Sequence, residues 1–309
     1  GVRTRLTRVL AAASGFEKVD GVADVIEIGD AVGATTRHVV VPAAEIDLML
    51  QRLESAAQMN PVALARAPDS LLVERMGQYE GFNHVIGWPD FMTVPHPWDL
   101  GLALRPNRSD DVAVSVHDIL PEGEGFVSWT PGNSYDRNAI VERTGELVGD
   151  VLDGGRYTKS IEEVAYEMLM NAMYDAPIEP DGTPKYAHRR GEEITLDPSE
   201  RPEFVFGSDG RLVVLQVTDP FGRLCRRDVV EGLRRGFGAR SSEDVDSVLD
   251  TASGGAGLGV FRMFQNSIAL CFDVSPGEST RVVAAFYLGL RSRDRRSYPT
   301  SLHLYFGDE

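Results

Sequence analysis

Two short turns between apolar runs constrain this chain most. Glu203–Phe206 and Leu212–Val217 are separated only by Gly207-Ser-Asp-Gly210 and its neighbour, and Ile268–Val274 and Thr280–Leu290 only by Ser275-Pro-Gly-Glu278 and the serine after it. Strands joined so closely must pair antiparallel, because a parallel pair needs a crossover of a dozen or more residues. Each pair follows an amphipathic stretch. Ser160–Asp175 reads as a helix, with Val164, Met168 and Ala172 on one face and Pro177 as the stop. Ser160 is a good N-cap, and Glu163 completes a capping box. Gly257–Leu270 opens on glycines and continues as a helix, and Asn138–Leu152 is a third, closed by Gly154-Gly155. Helices interleaved with antiparallel strands predict an α/β sandwich with a mixed, mainly antiparallel sheet and helices on one face, not a doubly wound parallel sheet.

The first 130 residues are less regular and read as a separate N-terminal α/β region, with the second unit spanning 131–309. Arg37-His-Val-Val-Val-Pro42 is a short buried strand stopped by proline, and Ile46, Leu50 and Leu53 then fall at helical spacing. A strand, a proline and an amphipathic helix resemble the end of a receiver domain in degenerate form. Asp20, Asp24 and Asp30, the acidic candidates for phosphorylation, lie in a Gly-rich stretch without a clear strand before them. Asp111–Val116 alternates apolar and polar residues as a half-buried strand does, and Glu122-Gly-Glu-Gly125 would turn it into a second strand at Phe126–Trp129.

Composition narrows the function classes. With 47 acidic residues against 31 basic ones the net charge is −16, which argues against nucleic acid as partner, since phosphate backbones are bound by basic faces. No apolar run reaches the length of a membrane span, and no secretion signal is legible at the start. The two cysteines, Cys225 and Cys271, make neither a disulfide framework nor a metal-binding pattern and suit a reducing cytoplasm.

Three pieces carry chemistry. Glu167 and Asn171 stand one turn apart on the Ser160 helix, polar within an apolar stretch, where a carboxylate and an amide oxygen can orient a water and a Mg²⁺. Asp219 ends an apolar strand and is followed by Pro220-Phe-Gly222, so that its carboxylate can accept a hydrogen bond from an exocyclic amino group. Gly254-Gly-Ala-Gly-Leu-Gly259 opens a helix, where backbone N–H groups and the helix dipole favour phosphate. It is neither a dinucleotide fingerprint nor a P-loop.

In order and separation these pieces resemble the N-box and the two glycine boxes of the GHKL (Bergerat-fold) ATPases and kinases, over about 135 residues from Tyr157 to Leu290. The resemblance implies ATP and Mg²⁺ as cofactors and Glu167 as general base. It implies Asn171 as ligand of Mg²⁺ and phosphate, with Asp175 a further nucleotide contact. Asp219 would read the adenine amino group, with Gly222 in the first glycine box. Gly255, Gly257, Leu258 and Gly259 would wrap the phosphates, and Thr280 would help hold the base. Arg223–Ser253 would form a mobile ATP lid. The sequence departs from the family pattern where glycine stands three positions after Asp219, behind a proline. It departs again in the insertion from Pro177 to Pro202, read as a solvated loop, in which Arg189 or Arg190 would be placed to reach a phosphate.

Three uses of ATP remain open. One is a bacterial serine/threonine kinase or regulatory ATPase of the partner-switching, anti-sigma-like type, acting on a regulatory protein partner. The second is a non-catalytic adapter whose nucleotide state controls docking. The third is a histidine-kinase-like protein, for which His117-Asp-Ile-Leu resembles a fragment of the phospho-acceptor box. A homodimer is compatible with each.

Overall fold

The computed structural model describes residues 16–18, 26–28, 37–42, 46–47, 50, 59–66, 70–89, 95–105, 113–120, 125–151, 154–241, 258–290, 294 and 298–307. Among them eleven strands form one mixed sheet. In chain order they are β1 (Phe16–Lys18), β2 (Ile26–Ile28), β3 (Arg37–Pro42), β4 (Met59–Ala65), β5 (His84–Gly87), β6 (Val127–Trp129), β7 (Glu203–Ser208), β8 (Leu212–Asp219), β9 (Ala269–Ser275), β10 (Ser279–Tyr287) and β11 (Ser301–Phe306). Across the sheet they lie in the order β1-β2-β3-β4-β5-β11-β9-β10-β8-β7-β6. The α-helices are α1 (Ser70–Gln78), α2 (Pro97–Ala103), α3 (Val116–Ile119), α4 (Ser134–Asp150), α5 (Thr158–Met170), α6 (Arg226–Ser241) and α7 (Leu258–Asn266).

Both hairpins expected from the turns are present, β7–β8 and β9–β10, and β8 pairs with β10 antiparallel. Gly210 and Gly277 take φ of +86° and +71° in the two turns. The strands read as nearly continuous apolar runs because both faces are covered. On β8, Val213, Leu215 and Val217 enter the larger core, whereas Leu212 and Val214 enter a second core on the opposite face. Cys271 of β9 and Val283 and Ala285 of β10 join that second core, together with Leu102 of α2 and Val116 and Ile119 of α3. Helices therefore lie on both faces, not on one: the large core takes α1 and α4–α7, and the N-terminal region wraps α2 and α3 across the back.

That wrap explains why Asp111–Val116 is not a strand where it is described. The amide of Val114 donates to Asp273 Oδ2 at 2.6 Å and that of Val116 to Gln216 Oε1 at 2.9 Å, so buried side chains of the sheet take the bonds a neighbouring strand would have made. Ser115 N then donates to Asp118 Oδ2 at 2.7 Å, and α3 begins. The expected strand at Phe126–Trp129 exists as β6, but it pairs with β7.

The division at residue 130 corresponds to no break in the sheet. β11 pairs parallel with β9 and antiparallel with β5, and β5, β4 and β3 run parallel to one another. Ile46 and Leu50 are helical and buried in the same large core as Leu270 and Leu304, whereas Leu53 lies outside the described residues. So do Asp20, Asp24 and Asp30.

Two helices begin earlier than their apolar periodicity predicts. α4 starts at Ser134 because Asn133 caps it, accepting from the amides of Tyr135 and Asp136. α5 starts at Thr158, straight after a 3₁₀ turn at Gly154–Arg156, so Ser160 lies inside its first turn and is not the cap. At its other end α5 widens into a π-turn over Asn171–Asp175, closed by Ala176 N donating to Asn171 O at 2.9 Å. Turns of this kind are often found at functional sites.

Candidate functional site

Of the pieces singled out in the sequence, Asp219 and the Glu167 helix both lie on the large-core side of β8 and β10, and of the glycine run only Leu258 and Gly259 fall among the described residues. Asp219 and Thr280 stand directly opposite each other in the β8–β10 ladder, 6% and 4% exposed. Burial pushes the Asp219 carboxyl up to about 6; hydrogen bonds from Phe221, Gly222 and Thr280 pull the other way without overcoming it. The Phe221 amide donates to Asp219 Oδ1 at 3.0 Å. Gly222 follows with φ +59°, and a Cβ there would lie 1.9 Å from Ser275 O in the β9–β10 turn. The glycine three residues after Asp219 is thus fixed by the neighbouring turn: Gly277 N donates to Gly222 O at 3.2 Å. Only a residue without a side chain fits.

Glu167 of α5 is buried and faces the first turn of α7. A Cβ on Gly259 would meet Glu167 Oε2 at 2.6 Å, and Arg262 of α7 donates from Nη1 to Glu167 Oε1 at 2.9 Å. Asp175, at the end of the π-turn, is held by Arg190, whose Nε donates to Oδ1 at 3.2 Å and whose Nη2 bonds Oδ2. Burial raises the Asp175 carboxyl, Arg190 opposes that, and the nearby Glu167 charge adds to it. Between these two acids, Asn171 is half-buried and its side-chain amide bonds to no described residue. Leu258 opens α7 half-buried; Gly254, Gly255 and Gly257 lie outside the described residues.

Two expectations are corrected here. The segment read as a mobile lid contains α6, whose Val229 and Leu233 are fully buried in the large core. Gly236 abuts the Phe261 ring of α7, and Arg226 donates to Tyr79 O, Phe82 O and Asn83 Oδ1. Arg223–Ser253 is therefore anchored through residue 241; residues 242–253 are outside the described set. The insertion from Pro177 to Pro202 is anchored, with Tyr186, Ile194 and Leu196 in the large core and Lys185 paired with Glu200 at 2.7 Å, while Glu179–Pro184 and Gly191–Glu193 are exposed. Its Arg190 reaches the site, but toward Asp175.

Arg262 was missed by sequence reasoning, although it left a signal as one cation in the otherwise apolar Leu258–Phe264, matching the one acid in the apolar stretch of α5. His117 sits exposed on the four-residue α3, its ring 4.5 Å from that of Phe126, and not on a long helix. A cleft of about 1220 Å³ opens between α1 and α6, lined by Gly77, Gly222, Val230, Arg234 and Phe306 among others. Neither Glu167 nor Asp219 lines it.

Among the described residues no group of three or more His, Cys, Asp and Glu could hold a metal, and no helix is long and apolar enough to cross a membrane. Comparison with protein-family models, with curated proteins and with solved structures finds no match.

Proposed function

We propose that this chain is an ATP-binding bacterial signalling protein of the GHKL (Bergerat) type, acting as a serine/threonine kinase or regulatory ATPase on a partner protein. The observation that carries the reading is the buried Asp219–Thr280 pair across β8 and β10, with Glu167 set against the start of α7 on the same side of the sheet. A buried carboxylate flanked by a hydroxyl suits the edge of a base that offers an amino group. The α7 N-terminus suits phosphate.

Asn171 fits Mg²⁺: its amide oxygen bonds to no described residue while both neighbouring acids are paired. A cation that keeps most of its waters and takes the rest of its ligands from phosphates needs no protein cage. When bound, Mg²⁺ would neutralise phosphate charge. In transfer, the terminal P–O bond to ADP breaks and a bond to the acceptor hydroxyl oxygen forms. Glu167 takes that hydroxyl's proton.

The adapter reading has its own support, because Arg262 and Arg190 occupy the two acids that catalysis would use. Incubation with radiolabelled ATP and candidate partner proteins separates the readings. Label on a serine or threonine, or release of phosphate, lost in Glu167→Gln, supports the enzyme. Nucleotide binding without either supports the adapter.

A further inference from the structure

The Glu167–Arg262 pair is asymmetric. The Glu167 side chain is 10% exposed and that of Arg262 43%, so the carboxylate is fixed inside while the guanidinium lies at the mouth of the site. They share one hydrogen bond, Nη1 to Oε1 at 2.9 Å, and Oε2 lies where a Cβ on Gly259 would meet it at 2.6 Å. Arg262 of α7 thus holds one oxygen of the carboxylate that would act as the base. An end-on pair with a half-solvated partner is weak, whereas a guanidinium can bind a phosphate through two parallel hydrogen bonds. Arg262 stands one turn after Gly259, in the part of α7 whose N-terminal end favours phosphate.

Resting on the nucleotide site proposed above, we infer that Arg262 is a positioning residue that senses the terminal phosphate. Without a triphosphate it holds Glu167; with one, its guanidinium turns from Glu167 Oε1 to the terminal phosphate and leaves the carboxylate free to accept the acceptor's proton. ADP lacks the third phosphate and leaves the pair closed. Arg262 therefore sets a preference for ATP over ADP and couples it to the release of the base.

Calorimetric titration of Mg·ATP and Mg·ADP into wild type, Arg262→Met and Arg262→Lys tests this. Wild type binds ATP more tightly than ADP. In Arg262→Met, ATP affinity falls about tenfold, roughly the worth of one charged hydrogen bond, while ADP affinity is unchanged, and Arg262→Lys lies between. A merely structural role would weaken both nucleotides together, and that result overturns the inference, as does a variant with the wild-type ATP/ADP ratio. Wild type that binds neither nucleotide overturns the nucleotide site itself and the inference with it, so the two failures are told apart by the wild-type titration.

Discussion

Asp219 has opposite pH consequences for the empty and the loaded protein. Its carboxyl is raised by burial from 3.8 to about 6, so folding favours the protonated form. The stability this contributes is full below about pH 4 and is lost as pH rises through about 6, a change of about 3 kcal/mol. Urea unfolding at pH 5 and pH 7.5 will show Asp219→Asn gaining stability over wild type at the higher pH. Nucleotide binding runs the other way: affinity falls as pH drops through about 6, because a protonated carboxyl is a poorer acceptor for an amino group, and Asp219→Asn removes that pH dependence. Gly222 makes a second prediction. Alanine there meets Ser275 O at 1.9 Å at a φ of +59° and costs about 3 kcal/mol. Alanine at Gly277, also at positive φ but with nothing within 4 Å, costs about 1 kcal/mol; thermal unfolding of the two variants compares them directly. Glu167 and Asp219 stand out locally, as an acid in an apolar helix and an acid at a strand end, whereas Gly222 and Thr280 were read only through the family resemblance. Arg262 was not singled out, and Arg190 was read toward a phosphate rather than Asp175, because an ion pair between elements leaves only a lone charge in each.

At the scale of elements, what could be read was what is local. The hairpins β7–β8 and β9–β10 are specified by their own turns, and they formed as expected. β11 escaped notice because its antiparallel partner β5 lies far away in sequence and its alternation of Leu302, His303, Leu304 and Tyr305 is short. Yet it is the strand on which the rest depends. Leu302 and Leu304 enter the large core, while His303 bonds Asp99 at 2.7 Å and contacts His84 Nδ1 at 3.3 Å, all three buried. Leu304→Ala will lower stability by about 3 kcal/mol, measured by chemical unfolding. α6 is likewise anchored by its buried face, so amides from Val229 to Leu233 will exchange hydrogen slowly, as a packed helix does. Fast exchange there would restore the mobile-lid reading that the family resemblance implied.

The molecule as a whole is tied together by one sheet and one large core that takes side chains from both halves. Met76 of α1 and Phe272 of β9 belong to that same core. Replacing either with alanine should therefore lower a single cooperative unfolding transition, and calorimetry that resolves two transitions would show the halves folding separately. The composition gave no hint of this joining, since the sheet passes from β5 to β11 through the pairing of His84 and Val85 with His303 and Leu302, the most distant in the described sheet. The central claim, that nucleotide binds at Asp219 and Thr280, is tested most directly by titrating Mg·ATP into wild type and Asp219→Asn at pH 7.5. Saturable heat in wild type that weakens sharply in the variant is the expected result. No heat, and no rise in unfolding temperature at millimolar nucleotide where a competent site adds a few kcal/mol, would contradict it.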